Sequence, residues 1–290
     1  MSLLGEPLFF LGLPEETRRD RAEKLAAALA EVERAPEDLG ARVWLGRRTA
    51  YVGRYRDAIR IFGEGLALAE TKGDLPATVR FLRHRGHRYV TVRDFDSAIA
   101  DLERARALLD RVPEEVEPDG IPNARNVPTS TLHGNVWYHL GLARFLTGRF
   151  EEAANAYRAS LATARNPDML CAASHWLYAS LRRLGRDAEA ARLLEPIRAD
   201  LDVVENHAYH RLLLAYRGGS AAMEALLAES RGAGGVDFAT AGFGAGHWRL
   251  VEGDEPGAHA IFEEIVARRE WAAFGSIAAE AEIARRRRRS

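Results

Sequence analysis

The chain has one cysteine, Cys171, in 290 residues, and only two lysines, Lys24 and Lys72. A single thiol excludes an internal disulfide framework and any zinc site built on paired cysteines. Cys171 lies in the apolar helical stretch MLCAASHWL and is expected to be a buried structural thiol. No apolar run reaches the roughly 18 residues that a membrane span needs. The opening MSLLGEPLFFLGLPEE lacks a basic n-region and is broken by Gly5, Pro7, Gly12 and Pro14, so it does not read as a signal peptide. The default expectation is a cytoplasmic protein; a removed signal peptide would make it periplasmic or exported. Strand patterns are nearly absent. So are the short motifs of phosphate, dinucleotide and hydrolase chemistry: there is no P-loop, G-x-G-x-x-G, G-x-S-x-G or H-E-x-x-H.

Arginine makes up the other 39 of the 41 basic residues, and 42 acids balance them to a net charge of −1. A nucleic-acid binder should show a one-sided basic excess with stacking aromatics, and none is expected here. Arginine is nevertheless a planar, permanently charged fork suited to carboxylates. The five arginines from Arg285 to Arg289 repel one another and are read as a frayed, solvated tail.

Helix patterns are dense, and they recur. LGRRTAYVGRYRDAIRIFGEGLALAE (45–70), WYHLGLARFLTGRFEEAANAYRASLATAR (137–165) and GHWRLVEGDEPGAHAIFEEIVARRE (246–270) each pair two amphipathic helices across a glycine break. The breaks fall at Gly53, Arg93, Gly148, Gly185, near Gly219, and Gly253. Apart from one long interval, their spacing is close to the ~34-residue period of a tetratricopeptide repeat. Trp137, Leu140 and Gly141, followed by Gly148, Phe150, Ala153 and Tyr157, resemble that repeat's W-x2-L-G and A-x3-F pattern. Leu45, Gly46, Ala58 and Phe62 repeat it, as do Gly86, Ala98 and Leu102. Two departures are notable: Arg85 stands where leucine is wanted and should need a buried acid, and Arg144 stands where tyrosine is wanted.

The chain thus resembles the tetratricopeptide repeat (TPR) family. Phrases such as LRHRGHRY, PDGIPNARN and ENHAYHRLLLAY are similar to stand-alone bacterial members without a catalytic domain, some of them exported. The resemblance implies an all-α fold: a right-handed α-α superhelix of about six helix pairs with a capping helix at each end. It implies a binding role and transfers no catalytic residue. As one solenoid domain, 1–290 divides into an irregular segment (1–16), a capping helix (17–38), repeats 1–2 (39–112), a proline-rich inserted loop (113–133), repeats 3–6 (134–270), and a capping helix with the arginine tail (271–290). Loops this long inside a compact array are often functional. Thr129 or Ser130 is expected to N-cap the helix that follows.

In the TPR frame the first helix of each pair lines the concave face. That face is expected to carry Arg47 and Tyr51 from the first unit, and Arg80, Arg83 and His87 from the second. Tyr138 follows from the third, His175 and Arg182 from the fourth, His207 and His210 from the fifth, and His247 from the sixth. Five of the nine histidines are among these residues, where random filling of the repeat predicts about one or two. Asn123, Arg125, Asn126 and Thr129 are the loop's candidate contacts. The pairs His84-x2-His87 and His207-x2-His210 sit a helical turn apart but lack a third ligand fixed by spacing, so no metal site and no cofactor is expected. The leading expectation is a non-catalytic adaptor whose Arg/His groove takes a peptide, a protein segment or a carboxylate-bearing small molecule. The alternative is a small-molecule or metal binder, or an enzyme, with a pocket closed by 113–133.

Overall fold

A computed structural model describes residues 1–8, 12–233 and 235–288. Parts of the opening segment, and the end of the arginine tail at Arg289 and Ser290, lie outside the described residues. The described chain is all-helical. It runs α1 (Glu15–Arg34), α2 (Leu39–Tyr51), α3 (Tyr55–Lys72), α4 (Leu75–Thr91), α5 (Phe95–Arg106), α6 (Leu132–Leu146) and α7 (Phe150–Ala162). It continues through α8 (Pro167–Arg183), α9 (Asp187–Leu193), α10 (His207–Ala233), α11 (Gly235–Val251), α12 (Glu255–Ala267) and α13 (Phe274–Arg287). Gly219 interrupts α10 with φ 72° and ψ −159°, which makes its two limbs a fifth helix pair. Consecutive helices pack on one another along the array, as an α-α superhelix requires, except that α10 packs back on α8 rather than on the short α9.

The helix boundaries have local causes. Asp38, Asp74, Asp94, Thr131, Asn166 and Asp254 each accept the N–H three residues on and close a first turn. All six break residues have positive φ: Gly53 81°, Arg93 66°, Gly148 83°, Gly185 69°, Gly219 72° and Gly253 93°. That is the left-handed region in which helices commonly end. Within the pairs one contact recurs. Gly46 lies under Phe62, Gly86 under Leu102, Gly141 under Tyr157 and Gly246 under Phe262, each so close that a Cβ would collide. The small residue sets the helix spacing and the large one sixteen places on fills it.

Arg85 has its buried acid. Its Nε and Nη2 donate to the two Asp101 carboxylate oxygens at 2.7 and 2.8 Å. Arg144 donates to Glu103 and approaches Glu152. Cys171 is fully buried, and burial pushes its thiol up to about 12.

Three expectations need correction. The cap of α6 is Thr131, not Thr129 or Ser130, because the chain stays paired through Leu132: Glu117 donates to Ser130 and Leu132 to Glu115. The last helix does not only close the end of the array. Residues Gly275 to Ala284 of α13 are all buried, and the helix packs on α11, α12 and α6 along the inner face. Nor are the first arginines of the basic run frayed. Arg285 is helical, donates to Glu282, and reaches the Leu146 carbonyl at 3.2 Å.

Candidate functional site

The inner face is charged, and most of its charges meet internal partners. Arg93 is the clearest case. A non-glycine residue at positive φ is strained by roughly 1 kcal/mol. Here the backbone turn sends the side chain inward, where Nη2 donates to Glu280 of α13 at 2.7 Å and Nη1 to the Thr91 carbonyl at 2.6 Å. Glu280 also accepts the Leu3 N–H. Arg183 meets Glu282 at 2.7 Å. The C-terminal half of the face is thereby filled by α13.

In the N-terminal half the arginines hold segment 113–133 instead. Arg80 binds Glu115 at 2.5 Å, and Arg83 binds Glu117 at 2.6 Å. Arg47 donates to the Pro118 carbonyl at 2.7 Å and Arg48 to the Gly120 carbonyl at 2.8 Å. Glu117 is buried and also accepts from Asn135 of α6. The far side of the loop is tied to the turn before α10: Arg125 donates to Asp202 at 2.7 Å, and Thr129 to Glu205. That turn is itself held by Asp168, whose buried carboxylate accepts the N–H groups of Val204, Glu205 and Asn206 at 2.9, 2.8 and 2.8 Å. Proline lowers the entropy cost of ordering such a segment, and 113–133 carries four.

Between the loop and the helices lies a pocket of about 330 Å³. Thr129 and Ser130 form its loop wall. Arg83 and His87 come from α4, and Asn135, Tyr138 and His139 from α6. Met169 and Ala172 come from α8, Glu205, Asn206 and Tyr209 from the start of α10, and Phe274 from α13. Four of the residues expected from sequence are brought together here: Arg83, His87, Tyr138 and Thr129. The others are not. Arg47 and Arg80 are committed to the loop, and Tyr51 packs against it, its hydroxyl 3.3 Å from Arg47 Nε. Asn123, Arg125 and Asn126 form an outer turn. His175 and His247 are fully buried among aromatic rings, and His210 donates from Nε2 to the Arg198 carbonyl at 2.7 Å. His207 is exposed, and Arg182 sits between Asp187 and Glu252.

The hydrogen-bond directions in the pocket follow from the partners. Asn135 offers His139 a carbonyl at 2.7 Å, so Nδ1 of His139 carries the proton and Nε2 is left as an acceptor. Trp176 donates to the Tyr138 hydroxyl at 2.9 Å, and the Tyr138 and Tyr209 hydroxyls are 3.3 Å apart. One bond joins the two phenols, so one of their two protons stays free to donate. Burial, reinforced by nearby arginines, holds His87 and His139 well below the ordinary histidine value, and both are neutral at pH 7. Burial raises Tyr138 well above the ordinary phenol value. His139 and Tyr209 were absent from the sequence expectation. His139 sits one place past Tyr138 in the repeat frame, and its ring contacts, with His87 at 4.2 Å between ring centres and with Phe274 at 5.8 Å, draw it in.

No family model matches the chain, and no curated protein matches it significantly. Among solved structures it is similar to MamA of AMB-1, at 19% identity over 62% of this chain and 92% of that one, with a TM-score of 0.43. It is also similar to a Podosopora anserina kinesin light chain candidate with nearly identical TPR-like repeats. There the identity is 16% over 81% of this chain and 96% of that one, with a TM-score of 0.46. A point variant of that protein gives a TM-score of 0.48 at the same identity. Within this chain, the glycine contact repeated in four pairs and the left-handed break repeated in six make it an array of TPR-type helix pairs.

Proposed function

We propose that the protein is a non-catalytic binding protein that takes a small organic molecule in the pocket beneath segment 113–133. Repeat arrays present concave surfaces for binding, and in this one part of the inner face narrows to a recess beneath the loop. The observation that supports the reading best is the convergence of Thr129 and Ser130 from the loop, Tyr138 and His139 from α6, Tyr209 from α10 and Phe274 from α13 on about 330 Å³ of space. That is at the lower end of the range for small-molecule sites. A long peptide lying in an open groove has less support, because α13 occupies that groove. Catalysis has less support too. A general acid or base works best with a value near ambient pH. Here burial drives the histidines down and the tyrosines up, which makes them steady donors and acceptors.

Ligand-observed NMR against a collection of small aromatic and alicyclic compounds tests this. Ala172 lines the recess, so Ala172→Phe should fill it. Compounds that bind the native chain are expected to lose their saturation-transfer signal in that variant, with its melting temperature retained. Binders indifferent to Ala172→Phe, or no binders, would overturn the reading.

A further inference from the structure

Among the described residues, one arginine of the inner face, Arg88, has neither an acid nor a backbone carbonyl as partner; Arg47 and Arg48 lack an acid too, but each donates to a carbonyl of the loop. Arg88, on α4, lies beside the Tyr55 ring at 5.6 Å. A terminal nitrogen abuts the His87 ring, 2.6 and 2.5 Å from its two nitrogens. A neutral imidazole has one acceptor, so at most one of those contacts is a hydrogen bond. No carboxylate lies within ion-pair reach of Arg88 among the described residues, and its charged neighbours, Arg83 and Arg47, share its sign. Surrounding protein desolvates the guanidinium, yet the side chain keeps some accessible surface. An arginine in that position normally has a counter-charge, because an unpaired buried ion is costly.

The missing partner has a place to sit. His87, against which Arg88 rests, is a wall of the pocket. Beside it Arg83 has a buried Nε with no acceptor. Phe274, 5.3 Å from His87 between ring centres, opens α13, and Ala273 before it gives that first turn no side-chain cap. An uncommitted guanidinium, an unsatisfied arginine N–H and an uncapped helix start all favour negative charge. The pocket's remaining walls mix Tyr138, Tyr209, Met169 and Ala172 with neutral polar groups such as Asn135 and Ser160, and its one lining carboxylate, Glu205, is bonded to Thr129 at the other side, on the loop.

We infer that the ligand is a small organic carboxylate, with its ring or alkyl body against Tyr138, Tyr209 and Met169 and its carboxylate at the Arg83–His87–Phe274 corner, where Arg88 supplies the counter-charge. A carboxylate fits better than a phosphate ester. It is a planar monoanion matched to one guanidinium fork, whereas a phosphate monoester is close to dianionic at neutral pH. This inference rests on the pocket reading above.

Calorimetry on the full chain with matched probes tests it: benzoate and benzamide, phenylacetate and phenylacetamide, and phenyl phosphate. The acids are expected to bind about tenfold or more tightly than their amides, and more tightly than phenyl phosphate. Arg88→Gln should bring the acid-to-amide ratio near one. Arg88→Lys should keep most of it and covers the case in which the glutamine variant fails to fold. Arg286→Gln, on an exposed arginine, should leave it unchanged. Equal binding of acid and amide would overturn the carboxylate, and an acid preference that survives Arg88→Gln would overturn Arg88 as its counter-charge; either leaves the pocket standing. Tighter phenyl phosphate binding would overturn the carboxylate in favour of a phosphate. Failure of every probe, amides included, would sink both readings together.

Discussion

The two halves of the inner face start from the same repeat and end differently. In the C-terminal half a helix fills the groove. Its acids, Glu280 and Glu282, are buried against Arg93, Arg183 and Arg285, and its small residues let it lie close, with Gly275 hard against the Ala239 carbonyl. In the N-terminal half an irregular segment covers the groove. It meets the arginines with two carboxylates and two backbone carbonyls, and leaves a pocket walled by His87, behind which Arg88 has no acid partner among the described residues. A helix satisfies its own backbone and packs as a rod. A loop must have its backbone groups satisfied from outside, so arginines on the face it covers become its anchors.

The largest expected effect comes from breaking the filled half. Glu280→Ala would leave Arg93 buried without its carboxylate and free the Leu3 N–H. Both side chains are nearly fully buried, so urea unfolding should show a loss of about 3–5 kcal/mol. The matching change in the covered half is Glu117→Ala, which removes the partner of Arg83. There the loop can lift and Arg83 can hydrate, so the global loss should be smaller, about 2 kcal/mol. Faster proteolysis between Ile121 and Val127, both exposed, should accompany it. Equal losses for the two variants, with no change in proteolysis, would erase the distinction between rod and loop.

The smallest effect depends on pH. His175 lies in the filled half, fully buried, with Nδ1 3.3 Å from the Tyr216 hydroxyl and Nε2 without a partner. Burial lowers it to about 3, whereas in the unfolded chain it titrates near 6.5. Between those values the unfolded chain carries a proton that the folded one does not. His175 therefore contributes stability above pH 6.5 that is lost as pH falls below it. His175→Phe keeps a ring in the slot and removes the linkage. The slope of unfolding free energy against pH between 6.5 and 4.5 should become shallower by up to about 1.4 kcal/mol per unit. An unchanged slope would mean that His175 protonates readily in the folded chain.

Much of this molecule was legible in the amino-acid sequence. The six breaks within the helix pairs were readable in advance, Arg93 included and Gly219 only approximately, because the left-handed turn, and in four pairs the small-against-large contact, are local devices that recur at a near-regular spacing. The need of Arg85 for an acid was readable for a related reason: a charge at an apolar repeat position has few ways to be buried. The Arg/His bias of the inner helices was readable too, as a pattern. Its meaning was not. Side chains at equivalent places of different repeats meet different neighbours. Repeat position places His175 and His247 in the groove, but the groove turns out to be packed with aromatics and α13. It places Arg47 and Arg80 there as ligand contacts, but they hold the loop. Periodicity specifies which face a residue occupies. What covers that face was decided by two aperiodic pieces, 113–133 and α13, which carry no register. Their seats follow only from the long-range ion pairs, hydrogen bonds and close packing that form once the array has wound around them.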